Sequence, residues 1–176
     1  MRIVTYSAAV TLDGFIAGPH GEIDWIHSSD DTNDVLKALW EGVDAILWGR
    51  KTWEFAAAQG GGSGGSSRIK SYVFSRTLPS VKGRGVTLVR DDAGGFVRRL
   101  KSESGGRIFL MGGGELARSL IDAGLVDEVL LDVHPLLLGD GVPLFAAGNR
   151  RIQLELTESR AIHGGSVVMN YRVVNR

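Results

Sequence analysis

An α/β fold built on a mixed, mostly parallel sheet is what this sequence predicts, and three observations carry the expectation. Two apolar runs, Ala45-Ile46-Leu47-Trp48 and Arg107-Ile108-Phe109-Leu110-Met111, each end in glycine and pass directly into helically spaced residues. Around them, short apolar runs alternate with amphipathic stretches, the βα order that builds a parallel sheet. The end of the chain then changes to period-two alternation on both sides of a turn-rich segment, which predicts an antiparallel hairpin.

In chain order, Met1 to Val10 alternates like a strand and meets the turn pair Asp13-Gly14. Thr32 to Glu41 places Val35, Leu36, Leu39 and Trp40 on one helical stripe, with Asp30 and Asp31 available as caps. That stripe puts Trp40 in the core, and Asp34 falls opposite it; Trp25 reads as a core residue or a pocket wall. After the strand at Ala45–Trp48 comes a short helix through Trp53 and Phe55. Gly60 to Ser67 carries no apolar side chain and reads as a long surface loop, or more sharply as a flap near a ligand.

Tyr72-Val73-Phe74-Ser75 and Val86 to Val89 are strands, Phe96, Val97 and Leu100 form a helical stripe, and Leu116, Leu120 and Ile121 line the helix after Met111. Glu128 to Val133 continues the sheet, with Asp132 a carboxylate among apolar neighbours that reads as a hydrogen-bonded structural group or a substrate contact. Ile152–Ser159 and Ser166–Val174 form the closing hairpin across the turn at 160–165.

The 176 residues, 43% hydrophobic, suit one domain spanning 1–176 with a substantial core. Twenty basic and twenty acidic residues cancel, so no overall field favours nucleic acid or an anionic membrane. The absence of cysteine excludes disulfides, thiolate zinc sites and cysteine nucleophiles. The histidines at 20, 27, 134 and 163 lack metal-ligand spacing, so no metal is expected. The first residues are too polar for a signal-peptide core and no stretch suits a bilayer, so the expected location is the cytoplasm.

A tight turn from strand into helix exposes unpaired N–H groups at the positive end of the helix dipole, which suits a phosphate. Gly112-Gly113-Gly114, followed by Glu115 and Leu116, is one such turn, or a plain one. It fits neither the dinucleotide fingerprint, whose sixth position would be Ala117, nor a P-loop. Gly49-Arg50-Lys51-Thr52 is more pointed, because two cations crowd a helix start where the dipole repels them unless an anion is present. Ser75-Arg76 repeats the pairing of hydroxyl and guanidinium, making Arg50 and Arg76 candidates for a nucleotide 2′-phosphate. Two helix starts together suggest a pyrophosphate held from both sides. Ala8, Ala9 and Ile16 offer an apolar floor for a nicotinamide ring, and Asp31 is the acid nearest the buried edge of its helix, a candidate proton source.

Taken together, Leu12-Asp13-Gly14-Phe15-Ile16-Ala17, Leu47-Trp48-Gly49-Arg50-Lys51-Thr52-Trp53-Glu54, Tyr72-Val73-Phe74-Ser75-Arg76, Met111-Gly112-Gly113-Gly114-Glu115-Leu116 and Pro135-Leu136-Leu137-Leu138-Gly139-Asp140-Gly141 make an ordered set. In that order they resemble the dihydrofolate reductase-like superfamily, and within it short stand-alone members of the riboflavin deaminase-reductase C-terminal domain family. The resemblance implies a mixed eight-stranded sheet with an antiparallel last strand, NADPH as cofactor, and hydride transfer to a pterin-like or pyrimidine-like heterocycle. It places Gly49, Arg50, Lys51 and Thr52 at cofactor phosphate, Ser75 and Arg76 at the adenosine 2′-phosphate, Gly112, Gly113, Gly114, Glu115 and Leu116 at the pyrophosphate, and Ala9 and Ile16 beside the nicotinamide. It also implies a homodimer. Two alternatives are the 5-amino-6-(5-phosphoribosylamino)uracil reductase step of riboflavin biosynthesis and, from another class, a non-catalytic NADPH-binding module.

Overall fold

The computed structural model describes residues 1–27, 30–60 and 68–174. Ten strands and four helices follow in order among them: β1 (Val4–Thr11), β2 (Phe15–Ala17), α1 (Asp30–Trp40), β3 (Val43–Gly49), α2 (Arg50–Ala58), β4 (Lys70–Phe74), β5 (Val86–Val89), α3 (Ala93–Ser102), β6 (Arg107–Leu110), α4 (Gly114–Asp122), β7 (Glu128–His134), β8 (Val142–Pro143), β9 (Gln153–Ala161) and β10 (Val167–Val174).

Eight strands form one sheet in the order β5-β4-β3-β6-β1-β7-β10-β9, and β2 pairs with β8 in a separate two-stranded ribbon. From β5 to β7 every pairing is parallel, whereas β10 is antiparallel to both β7 and β9. The mixed eight-stranded sheet expected from the sequence is thus the one observed. The β2–β8 ribbon was not anticipated, because strands of three and two residues carry no readable period.

Strand alternation sorts the core into two layers. Ala45 and Leu47 of β3, with Val4, Tyr6, Ile108 and Leu110, pack against Val97 and Leu100 of α3 and Ala117, Leu120 and Ile121 of α4. Ile46 and Trp48 point the other way and join Phe109, Val73 and Trp53 of α2, with Leu39 of α1 against them. Burying side chains of this size yields about 1.5–3 kcal/mol each, which makes these two layers the main source of stability. Helices α1 and α2 therefore cover one face, α3 and α4 the other.

Three expectations are corrected. Helix α1 starts at Asp30, so Asp30 and Asp31 lie in its first turn and not before it. Trp40, the last residue of α1, is 36% exposed: its ring packs on Phe109 with centroids 5.0 Å apart, and the helix ends before anything covers its other side. Ala8 packs into the α3–α4 layer, because alternation sends it to the opposite face from Ala9. Of the glycine-serine run, Gly60 is described at φ +74, while 61–67 lie outside the described residues, as does the flap expectation. No described helix is long and apolar enough to cross a membrane.

Candidate functional site

The strands β3 and β6 are neighbours, but the chain leaves them for opposite faces of the sheet, β3 into α2 and β6 into α4. Such a switch point opens a crevice at the carboxyl ends of the strands, the usual ligand position in open α/β sheets. Here the two turns touch. The Gly49 N–H donates to the Gly112 carbonyl at 2.5 Å. A Cβ on Gly49 would lie 2.7 Å from the Gly113 nitrogen and 3.0 Å from the Gly112 oxygen, so only glycine lets the turns meet.

Both helices begin on glycine with no side-chain cap, α2 on Gly49 and α4 on Gly113. The contrast with α3 is informative: there Asp92 accepts the Gly94 and Gly95 N–H groups at 3.3 and 2.7 Å, and these bonds hold its carboxyl below the usual carboxylate range. The first-turn donors of α2 and α4 are left for water or a ligand, with an anion favoured by both dipoles. The first turn of α2 contains no acid, only Arg50, Lys51 and Thr52. A Cβ on Gly113 would meet only the Thr52 hydroxyl, at 3.4 Å, so this cradle stays open to an approaching group.

The remaining predicted residues divide by environment. Arg50 is part-exposed and pairs with Glu54 at 3.0 Å, one turn along α2. Phe74 is the register partner of Gly49, so Ser75 and Arg76 follow at the same sheet edge beside Arg50. The Ser75 hydroxyl accepts the Thr77 and Leu78 N–H groups at 3.2 and 3.0 Å, so it is used in shaping the turn; the Arg76 side chain is exposed. Gly112 has φ +92 and lies over the ring of Tyr6, whose buried hydroxyl donates to the Leu144 carbonyl at 3.0 Å and has its pKa raised by that burial. Gly114 packs on the Pro143 and Leu144 carbonyls, which a Cβ would meet at 2.8 and 3.0 Å. Leu116 packs into the α3–α4 layer, leaving only its backbone toward the crevice end of α4, and Glu115 is exposed.

Ile16 belongs to β2, and a clasp fixes that segment. The Asp13 carboxylate accepts the Thr11 hydroxyl at 2.6 Å, the Gly139 N–H at 2.8 Å and the Leu138 N–H at 3.2 Å. These bonds, the Thr11 one foremost, lower its pKa. The Leu12-Asp13-Gly14 and Leu138-Gly139 motifs, 125 residues apart, are thus halves of one feature.

Across β1, Ala9 is the register partner of Asp132 on β7, and Thr11 that of His134. Asp132 and His134 share one strand face, their carboxylate and Nε2 lying 3.2 Å apart but out of hydrogen-bond alignment. The Trp25 ring stands edge-on to His134, centroids 5.3 Å apart. Four buried side-chain polar atoms lack a partner among the described residues, and three are Trp25 Nε1, Asp132 Oδ1 and His134 Nε2. Each such atom costs about 1–3 kcal/mol when left unpaired. Two-residue spacing in a strand was the legible signal for the Asp132–His134 pair; its meeting with Trp25 was not legible.

Asp31 lies in the first turn of α1. Its carboxylate accepts the His163 N–H at 3.3 Å and lies 3.7 Å from the Arg160 guanidinium, tying α1 to the β9–β10 hairpin. Asp34, exposed as expected, lines a cavity of about 360 Å³ between α1 and the hairpin strands. Among the described residues no three His, Cys, Asp or Glu side chains converge as metal ligands.

The family model of the RibD C-terminal domain matches residues 2–168. The chain is 35% identical over 182 residues to uncharacterized protein YyaP of Bacillus subtilis (strain 168), covering 97% of this chain and 94% of that one. Among solved structures it is similar to the Shewanella sp. PV-4 protein named for riboflavin biosynthesis, with a TM-score of 0.87 at 23% identity, covering 99% of this chain and 100% of that one. It is also similar to the dihydrofolate reductase of Enterococcus faecalis complexed with NADP(H) and RAB-propyl, with a TM-score of 0.71 at 15% identity over 98% of this chain and 97% of that one. The fold is therefore dihydrofolate reductase-like.

Proposed function

We propose that this chain, which belongs to the RibD C-terminal domain family, is an NADPH-dependent reductase acting on a pterin-like or pyrimidine-like heterocycle. One observation carries the reading: two uncapped helix starts touch at Gly49 and Gly112, at the switch point of the sheet. Backbone N–H groups of Lys51, Thr52, Glu115 and Leu116 hold the pyrophosphate from both faces, and the Gly113 backbone admits it closely. Arg50 and Arg76 take the 2′-phosphate, Arg50 by exchanging its Glu54 partner for a doubly charged one. Ala9 and Ile16 flank the nicotinamide, which when bound supplies a hydride for a C=N or C=O carbon. The chain's own part is to orient that carbon and exclude water. The accompanying proton comes from water or from a carboxylate such as Asp31.

Residues 1–176 act as one domain, an assignment supported by the single sheet running from β5 to β9. The chain works as a homodimer in the cytoplasm; the outer edge of β9, where Leu154 and Leu156 are 37% and 52% exposed, is the surface that favours pairing. The family also supports a second reading, the 5-amino-6-(5-phosphoribosylamino)uracil reductase step.

Titration with NADPH and NADH, followed by tryptophan fluorescence, tests the cofactor assignment. NADPH binding tighter by tenfold or more is expected, and equal affinities overturn it. Consumption of NADPH with dihydrofolate, the riboflavin intermediate and small carbonyl compounds then separates the two reductase readings. Tight binding without turnover across such a panel would favour a non-catalytic module.

A further inference from the structure

The zero net charge hides a separation along the sheet. Residues 50–101 hold eleven of the twenty lysines and arginines but three of the twenty acids, a side-chain charge of +8, which leaves −8 on the rest of the chain. The basic segment is one end of the molecule. Strands β5 and β4 are the first two in the sheet order, and Trp53 of α2 packs with Val73 of β4 on one face. On the other face Phe96 of α3 meets Tyr72 and Phe74 of β4, with ring centroids 5.0 and 5.6 Å apart. The far end of the sheet carries Glu155 and Glu158 on β9, with Asp31 and Asp34 on α1 beside the hairpin. Pairing sharpens the contrast. Outside the basic segment Arg2, Arg107, Arg118, Arg160 and Arg172 each sit in an ion pair. Inside it, Lys51, Lys70, Arg76, Lys82, Arg84 and Arg90 are exposed and in no ion pair among the described residues.

We propose that the β5 end of the sheet is an electrostatic capture surface, which draws the anionic dinucleotide toward the crevice with its phosphates turned to the α2 side, Lys82 and Arg84 acting without contact. This rests on the cofactor reading above. An anion near such a charge separation is attracted to one end and repelled from the other, so the field both speeds encounter and selects orientation. The crevice borders the attracting end, because β3 and α2 form one of its walls. Arg76 stands there at the end of β4, its turn fixed by Arg90, which donates to the Arg76, Leu78 and Pro79 carbonyls at 3.3, 2.6 and 3.0 Å. A polynucleotide fits this surface less well than a dinucleotide. Among the described residues of 50–101 Phe55 is the one exposed aromatic ring, so successive bases find no stacking platform.

Stopped-flow fluorescence of the intact chain mixed with NADPH tests this by reading association and dissociation separately. Wild-type kon should fall about tenfold or more as the Debye length shrinks from about 30 Å at about 0.01 M salt to about 3 Å at about 1 M. Reversing both charges in Lys82→Glu/Arg84→Glu should slow kon by about fivefold at the lower salt and leave koff unchanged, since neither residue belongs to the phosphate cradle. The pair Lys37→Glu/Arg151→Glu lowers the net charge equally, at exposed positions outside the basic end, and should slow kon by less than about twofold. A wild-type kon independent of salt, equal slowing by the two pairs, or an effect confined to koff would each overturn the proposal. So would tight retention of a single-stranded RNA at about 0.15 M salt, which would assign the surface to polynucleotides. Absence of any saturable NADPH binding removes the cofactor reading and this proposal with it, whereas binding without the expected salt and charge dependence overturns this proposal alone.

Discussion

The Gly49 N–H and the Gly112 carbonyl, 63 residues apart in sequence, are joined by a 2.5 Å hydrogen bond that locks the starts of two helices together on opposite faces of the sheet. Replacing Gly49 by alanine would set a methyl group 2.7 Å from the Gly113 nitrogen. The turns must then separate. We expect a stability loss of about 1–3 kcal/mol by urea unfolding, with a tenfold or greater loss of NADPH affinity. Alanine tolerated with full cofactor binding would show that the contact does not shape the phosphate cradle.

Arg50→Ala should weaken NADPH by about 1.5–3 kcal/mol, roughly 10- to 150-fold, and leave NADH nearly unchanged. Glu54→Gln gives the opposite sign. It frees the guanidinium from its 3.0 Å partner and should tighten NADPH by about twofold, the size of an exposed helix ion pair. Calorimetry reads both, and a weaker complex in the Glu54 variant would contradict the partner exchange.

The Asp13 clasp carries a pH signature. Its hydrogen bonds lower the folded-state pKa, so the stabilisation is complete above the ordinary carboxylate range and is lost as pH falls through the lowered value. Asp13→Asn should thus unfold at lower urea than wild type at pH 7. The gap should narrow steadily below about pH 4. A gap independent of pH would mean that the carboxylate charge is not what holds Gly139.

Tyr6→Phe removes the hydroxyl that satisfies the Leu144 carbonyl and should cost about 1 kcal/mol in unfolding free energy. Because the ring remains under Gly112, NADPH affinity should change less than threefold. A large loss of binding would instead assign the phenol a direct role in the crevice.

Leu156→Arg on the exposed edge strand should convert a dimer into a monomer by light scattering without lowering NADPH affinity. A wild-type chain that is monomeric at tens of micromolar would remove the homodimer from the proposed function.

The sequence by itself determined the elements and their class. Ala45–Trp48 and Ile108–Leu110 are apolar runs that read as buried strands, and the alternation in 152–159 and 166–174 reads as a hairpin, because successive side chains of a strand point to opposite faces. Glycine at 49 and at 112–114 marked the turns for the same local reason. Tertiary structure alone decided what those turns meet. That Gly49 abuts Gly113, that Gly114 serves packing against Leu144, that Asp13 reaches Gly139, and that Trp25 closes over His134 beside Asp132 all depend on the strand order. Contacts between residues 30 to 126 positions apart leave no period in the chain. They are set by which strands become neighbours, and that choice minimises the free energy of the whole sheet and both its layers at once.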